Sequence, residues 1–168
     1  MLWKLHRDEL HPKVDTARGK LVGRSALTGH ELVLHTVEAL AARIPAGHTY
    51  LCTLDTWHRD EGLEDDVPTF EVQWPWDDDG DGLPDRDRIL LHWANAVRNR
   101  KGRVLLRGCI APGISRVDNM WEVATGLPSA ELPLLARSLP GVTDSRKAFW
   151  LFMQAVAGLR EFKLEVTE

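Results

Sequence analysis

The sequence predicts a mainly β fold of the α+β kind: one compact domain with a small β-sheet or barrel-like core and helices towards its C-terminus. Three observations predict it. Short apolar runs, alternating or β-branched, recur through residues 1–115 and are bounded by turn residues. A clear helical period appears only near the C-terminus, with Phe149, Phe152, Met153 and Val156 on one face. The 168 residues, 43% of them hydrophobic, contain no internal repeat and no low-complexity linker. A chain this long buries roughly 70% of its unfolded surface, so it needs neither disulfide nor metal merely to fold.

Taken in order, Leu2 to Arg7 alternates as a half-buried strand does. Gly19 to Gly23 brackets a second run. Leu32 to Val37 is β-branched and follows the turn pair Thr28-Gly29. Thr49 to Trp57 follows the turn signal Ile44-Pro45-Ala46-Gly47, and Phe70 to Trp74 is a fifth run. Arg88 to Trp93 and Arg103 to Ile110 are the sixth and seventh. Residues 117–158 read as helical. A weak run from Ala130 to Ser138 is interrupted by Pro133, which places its start near Leu132. The clear helix runs from Ser145 to Ala157, with Asp144 or Ser145 as N-cap and Gly158 at its C-terminal turn. Glu161 to Val166 alternates again as a closing strand.

Composition excludes several roles. Lysine and arginine number 21 against 25 acidic residues, a net charge of −4, which argues against non-specific nucleic-acid binding. The two cysteines, Cys52 and Cys109, are too few for a disulfide framework. Met1 to Pro12 holds no apolar core of a signal peptide, and no run approaches the roughly 20 apolar residues of a membrane helix. The expectation is a protein made soluble in the cytoplasm, without membrane insertion, reaching any outside target through a virion or cell lysis. Seven tryptophans stand against one tyrosine. Trp74, Trp76 and Trp93 flank the segments that carry the chemistry below, where flat rings suit a glycan or a peptide as well as a core.

Residues 77–87 read DDDGDGLPDRD. Asp77, Asp79 and Asp81 occupy positions 1, 3 and 5 of a calcium loop, with Gly82 at the sharp turn. Leu83 would offer its carbonyl at position 7, and Asp85 follows at 9. Alternating hard oxygen ligands curl around one small dication, and six aspartates in so short a loop repel one another without it. The spacing resembles the aspartate-rich loops of thrombospondin type 3 repeats, which implies a structural calcium ion. It departs from the EF-hand at position 12, where Arg88 stands.

Several phrases in order resemble a family of small, uncharacterised bacterial and phage proteins. They are Leu5-His6-Arg7, Thr16-Ala17-Arg18-Gly19-Lys20-Leu21, Thr36-Val37-Glu38, Ile44-Pro45-Ala46-Gly47 with Tyr50, Ile89-Leu90-Leu91-His92 with Asn95, Gly108-Cys109-Ile110 and Ser145-Arg146-Lys147-Ala148-Phe149. The resemblance implies a compact β-rich domain and a phage or prophage setting, without an activity. The order of His92 and Gly108-Cys109 is also similar to the L,D-transpeptidases. That similarity implies Cys109 as the acyl-accepting nucleophile and His92 as its base. Gly108 would let substrate approach backbone donors closely, and Trp93, Asn95 and Arg107 would flank the substrate. Leu106-Arg107 stands where those enzymes carry Ser-His, and Ala111-Pro112-Gly113 follows the cysteine. Cys52, mid-strand, reads as a core thiol. Arg98, Arg100, Lys101 and Arg103 form either a solvated loop tip or an anion-holding group. Glu38 could orient a histidine or an arginine.

The function expected from these residues is Cys-His acyl transfer on peptidoglycan peptide cross-links. The competing expectation is a non-enzymatic phage virion or accessory protein with a calcium-stabilised loop. The partners are accordingly a peptidoglycan peptide or a virion protein.

Overall fold

Alternation builds the first strands. The computed structural model describes residues 1–57, 67–74, 89–97, 106, 108–118 and 140–168. In chain order they form β1 (Leu2–His11), β2 (Thr16–Arg24), β3 (Glu31–Ala39), β4 (His48–Trp57), β5 (Val67–Val72), β6 (Ile89–Leu90), β7 (Ala111–Gly113), β8 (Arg116–Val117), β9 (Gly141–Val142), α1 (Ser145–Ala155) and β10 (Glu161–Thr167). The fold is mainly β, as the sequence predicts. Eight strands make one sheet in the order β6-β5-β4-β10-β1-β2-β3-β7, and β8 and β9 make a separate two-stranded ribbon. Neighbours run antiparallel except β1 and β10, which are parallel. The two end strands then meet. Leu91, just past β6, forms a parallel bridge with Ile110, just before β7. His92 N–H donates to the Ile110 carbonyl at 3.2 Å, and Ile110 N–H donates to the Leu90 carbonyl at 3.0 Å. The sheet therefore curls until its edges touch, which removes unpaired backbone groups at that point.

The inward face follows from the period of two. Trp3, Leu5 and Arg7 of β1 are buried while Leu2, Lys4 and His6 are exposed. Leu21 and Leu34 continue the row that starts at Leu5, and Phe162, Leu164 and Val166 point inward from β10. Helix α1 buries Ala148, Phe149, Phe152 and Ala155. Phe152 packs edge-on to Trp3 at 5.1 Å and lies among Phe70 and Phe162. Gly23 makes room for this cluster, since a Cβ there would sit 2.2 Å from the Trp3 ring. A second, smaller apolar cluster of Val37, Ala39, Val97, Leu106, Ala111 and Val142 lies apart from the main core.

The structure redraws several expected elements. Of the described residues of the sixth run, Ile89–Leu90 form β6; residues 103–105 and 107 of the seventh lie outside the described residues, and a strand follows at Ala111–Gly113, past the predicted end at Ile110. The ribbon strand β8, Arg116–Val117, straddles the start of the stretch expected to be helical, 117–158, and β9 falls inside it. Both are too short to give a periodic signal. The helix ends at Ala155, and Gly158 takes φ +83° as its C-terminal turn requires. Residue Asp144 is the N-cap but adopts a left-handed φ of 49° and makes no side-chain capping bond. The run from Ala130 to Ser138 lies outside the described residues. No described helix is long and apolar enough to cross a membrane.

Candidate functional site

The parallel bridge decides where the histidine and the cysteine point. Ile110 bonds to both Leu90 and His92, so it sits opposite Leu91. Side chains alternate along both strands. Leu91 and Ile110 therefore share one face, and Leu90, His92, Cys109 and Ala111 share the other. Burial agrees: Leu91 and Ile110 belong to the main core, whereas Cys109 and Ala111 pack with the second cluster. His92 and Cys109 thus lie diagonally across one strand pair on its outer face, a juxtaposition that sequence spacing alone allows only for some registers.

His92 is buried, 6% exposed. Its Nδ1 lies 3.2 Å from the Trp93 carbonyl oxygen. A carbonyl only accepts, so Nδ1 carries the proton in that bond and Nε2 holds the lone pair. Burial pushes the imidazole pKa down, against the raising effect of the Trp93 bond. At neutral pH the ring is therefore uncharged, in the form that takes up a proton. Cys109 is partly exposed and Cys52 is buried, and the two form no disulfide. Desolvation pushes the Cys52 thiol far up, which makes it an inert core residue, as expected from its strand.

Gly108 takes φ +92°, and a Cβ there would sit 3.0 Å from the Ala42 carbonyl oxygen. Its glycine is required by this turn into the Cys109 strand. Trp93 packs edge-on to Phe149 at 5.2 Å and tilts against Trp150 at 6.3 Å. The Arg146 guanidinium lies over the Trp93 ring, 5.5 Å from its centroid. Asn95 Oδ1 accepts from Ser145 N–H at 3.3 Å, and its carbonyl accepts from Val142 N–H at 2.9 Å. Asn95 therefore fastens β9 and the start of α1 to the segment that follows His92. Trp74 is buried and stacks on Tyr50, with centroids 6.3 Å apart and planes at 19°. Trp74 thus serves the core and Trp93 the helix contact.

Arg107, the basic loop of Arg98, Arg100, Lys101 and Arg103, and Trp76 and Trp121 lie outside the described residues. So do the proposed calcium ligands Asp77, Asp79, Asp81, Leu83 and Asp85. Among the described residues, no three His, Cys, Asp or Glu side chains are grouped to hold a metal ion.

Two polar constellations emerge only in three dimensions. Inside the curled sheet, Arg7 Nε donates to Glu38 Oε1 at 3.0 Å and Arg7 Nη2 to Oε2 at 2.8 Å, with both side chains fully buried. Parity is the signal that could have found this pair, since Arg7 follows Trp3 and Leu5, and Glu38 follows Leu34 and Thr36, at inward positions. Outside the sheet, Arg18 and Arg116 gather Asp8, Glu9 and Asp118. No sequence period points to that group, because Arg116 and Asp118 come from the far end of the fold. No family model, no curated protein and no solved structure matches the chain.

Proposed function

We propose that Cys109 and His92 form an acyl-transfer centre acting on a peptide carbonyl, with peptidoglycan cross-links as the substrate class. The observation that supports this reading is the Leu91–Ile110 bridge, which sets both residues on one face of one strand pair. In the proposed step His92 Nε2 takes the thiol proton as the Cys109 sulfur attacks the carbonyl carbon. The tetrahedral intermediate collapses with loss of the amine, which leaves carrying that proton, and a thioester remains on Cys109. Water resolves the thioester in hydrolysis, and a second amine resolves it in transfer. A neutral His92, its Nδ1 proton engaged by the Trp93 carbonyl, suits the first proton transfer.

The test is turnover of cross-linked muropeptides by the protein and by Cys109→Ala. Loss of thioester formation and of turnover, with an unchanged melting temperature, is expected. Turnover that survives the substitution sinks the reading.

One observation favours a second reading. His92 is 6% exposed, and Trp93 and Asn95 are engaged by α1 and β9. A face closed in this way suits a non-enzymatic phage virion or accessory protein. That reading expects copurification with assembled particles at fixed stoichiometry, unaltered by Cys109→Ala.

A further inference from the structure

Three inward rows of the sheet run from apolar to charged in the same direction. On β1 the row is Trp3, Leu5, Arg7, and on β3 it is Leu34, Thr36, Glu38. On β10 it is Leu164, Val166 and, just past the strand, Glu168. Leu5 pairs with Val166 and His6 with Thr167, so Arg7 and Glu168 come next along the two parallel strands. Arg7 gives Nε and Nη2 to the two carboxylate oxygens of Glu38. That bidentate grip uses one edge of the guanidinium. The remaining nitrogen, Nη1, is buried and has no hydrogen-bond partner among the described residues. Glu168 Oε1 lies 3.7 Å from it, near enough for charge and too far for a hydrogen bond.

The same Glu168 oxygen is held by a second arginine. Arg43 Nε donates to it at 3.0 Å, and Arg43 Nη2 lies 3.0 Å away. Arg43 Nη1 donates to the Leu40 carbonyl at 2.8 Å, which steadies the guanidinium against the short turn Leu40–Ala42. The Glu168 side chain is 44% exposed, whereas that of Arg7 is fully buried. One carboxylate therefore reaches from solvent to a guanidinium that solvent does not touch. Two arginines against Glu38 and Glu168 balance in charge. With Glu168 withdrawn, one positive charge remains, which suits one monoanion.

We propose that Arg7 and Arg43 form a carboxylate-binding site at this end of the curled sheet, that Glu168 occupies it in the resting protein, and that a ligand with a free carboxylate displaces Glu168. Glu168 is tethered one residue past β10, and its carboxylate stops short of Nη1. An untethered carboxylate can set one oxygen on Arg7 Nη1 and the other on the Arg43 fork. It thereby satisfies a buried donor that the resting protein leaves without an acceptor. A contact made by so exposed a carboxylate as Glu168 is weakly held and yields to such a ligand. The site adjoins the Cys109 segment. Arg43 follows Ala42, whose carbonyl oxygen lies 3.0 Å from the place of a Gly108 Cβ, and Ala42 packs on the same apolar cluster as Cys109. The ligand is accordingly the free carboxylate end of a peptide, an assignment that rests on the acyl-transfer reading, whereas the site itself does not.

Calorimetric titration of the full chain tests the site apart from turnover, in a Cys109→Ala background and at one ionic strength. The probes are N-acetyl-D-alanyl-D-alanine, its C-terminal amide and acetate. The peptide acid is expected to bind and the amide not to. Glu168→Ala is expected to bind the acid about tenfold more tightly, the gain from removing an occupied form populated about nine times in ten. Arg43→Gln is expected to lose binding, and so is the double change Arg7→Met with Glu38→Leu, which removes the buried pair together. Acetate that binds as well as the peptide acid upholds the site and makes its ligand a small organic acid. Binding of the acid no better than the amide in both the parent and Glu168→Ala overturns the site, as does binding that survives either arginine change. Melting curves establish that each variant is folded, and Arg43→Lys, which keeps the charge without the fork, replaces Arg43→Gln if the latter is not. Failure of the acyl-transfer reading is distinguishable, because it appears in muropeptide turnover and leaves probe binding unchanged.

Discussion

Arg7 reaches Glu38 because the strand between them offers no obstruction. Across the sheet Arg7 is paired with Gly19 and then Thr36, and Leu10 with Ala17 and then Glu38. Glycine and alanine on β2 leave a trench in which the guanidinium crosses to β3. Both partners are desolvated, so removing one strands a charge in the core. Glu38→Gln is expected to cost about 3–5 kcal/mol in urea unfolding, and the double change Arg7→Met with Glu38→Leu to recover most of it. A Glu38→Gln cost near zero contradicts the buried pairing. Gly108 is a second decisive residue. Its φ of +92° leaves no comfortable place for a Cβ, so Gly108→Ala is expected to cost about 1–2 kcal/mol by thermal melting. The need for a positive φ at Gly108 is not legible from the Gly-Cys phrase alone, which suits equally a backbone approached by substrate.

The α1 helix illustrates how far a local pattern carries. Its apolar face and its stop at Gly158 are written in the sequence. Its cap is not: Asp144 is the N-cap by position, but its side chain makes no capping bond, and Asn95 from a distant strand end supplies an acceptor for Ser145 N–H. Asn95→Ala is therefore expected to cost about 1 kcal/mol, the usual worth of a cap. Asp144→Gly, at a left-handed φ, is expected to be neutral or stabilising by up to about 1 kcal/mol. Thermal melts of the two variants decide between Asn95 and Asp144 as the effective cap. The strands near the site read less clearly than β1 for a related reason. On β1 only one face is covered, and alternation results. Ile89 to His92 are all buried, Ile89 and Leu91 within the main core, so Ile89-Leu90-Leu91 is apolar on both faces and the ends of the run are blurred. The Asp77–Asp85 loop remains an expectation of ligand spacing. It is checked by a melting temperature that rises with added calcium and falls with EDTA.

At the scale of the whole molecule, three groups among the described residues shape the response to acid. Burial lowers the pKa of His35 and of His92 below 6.5, and charge partners outweigh burial to lower that of Glu9 below 4.5. For each, the unfolded chain takes up the proton first, so the contribution to stability is present above the unfolded value and lost as pH falls from there through the lower folded one. Urea midpoints are expected to drop between pH about 7.5 and about 5 through the two histidines, and further below that through Glu9. His35→Gln and His92→Gln should each flatten the upper part of the curve. A midpoint that rises on acidification in this range contradicts the lowered pKa of both rings.

Much of the β-rich class, the inward parity of β1, β2, β3 and β10, and the apolar face of α1 were determined by the sequence, because each follows from the spacing of apolar residues along a single element. Which strands meet was not. That Leu91 lies against Ile110, that His92 and Cys109 share a face, that Arg7 finds Glu38 and that Arg116 finds Asp8 were decided by the tertiary structure alone. Each joins residues whose separation along the chain carries no period, and their pairing is fixed only when the curled sheet settles its register.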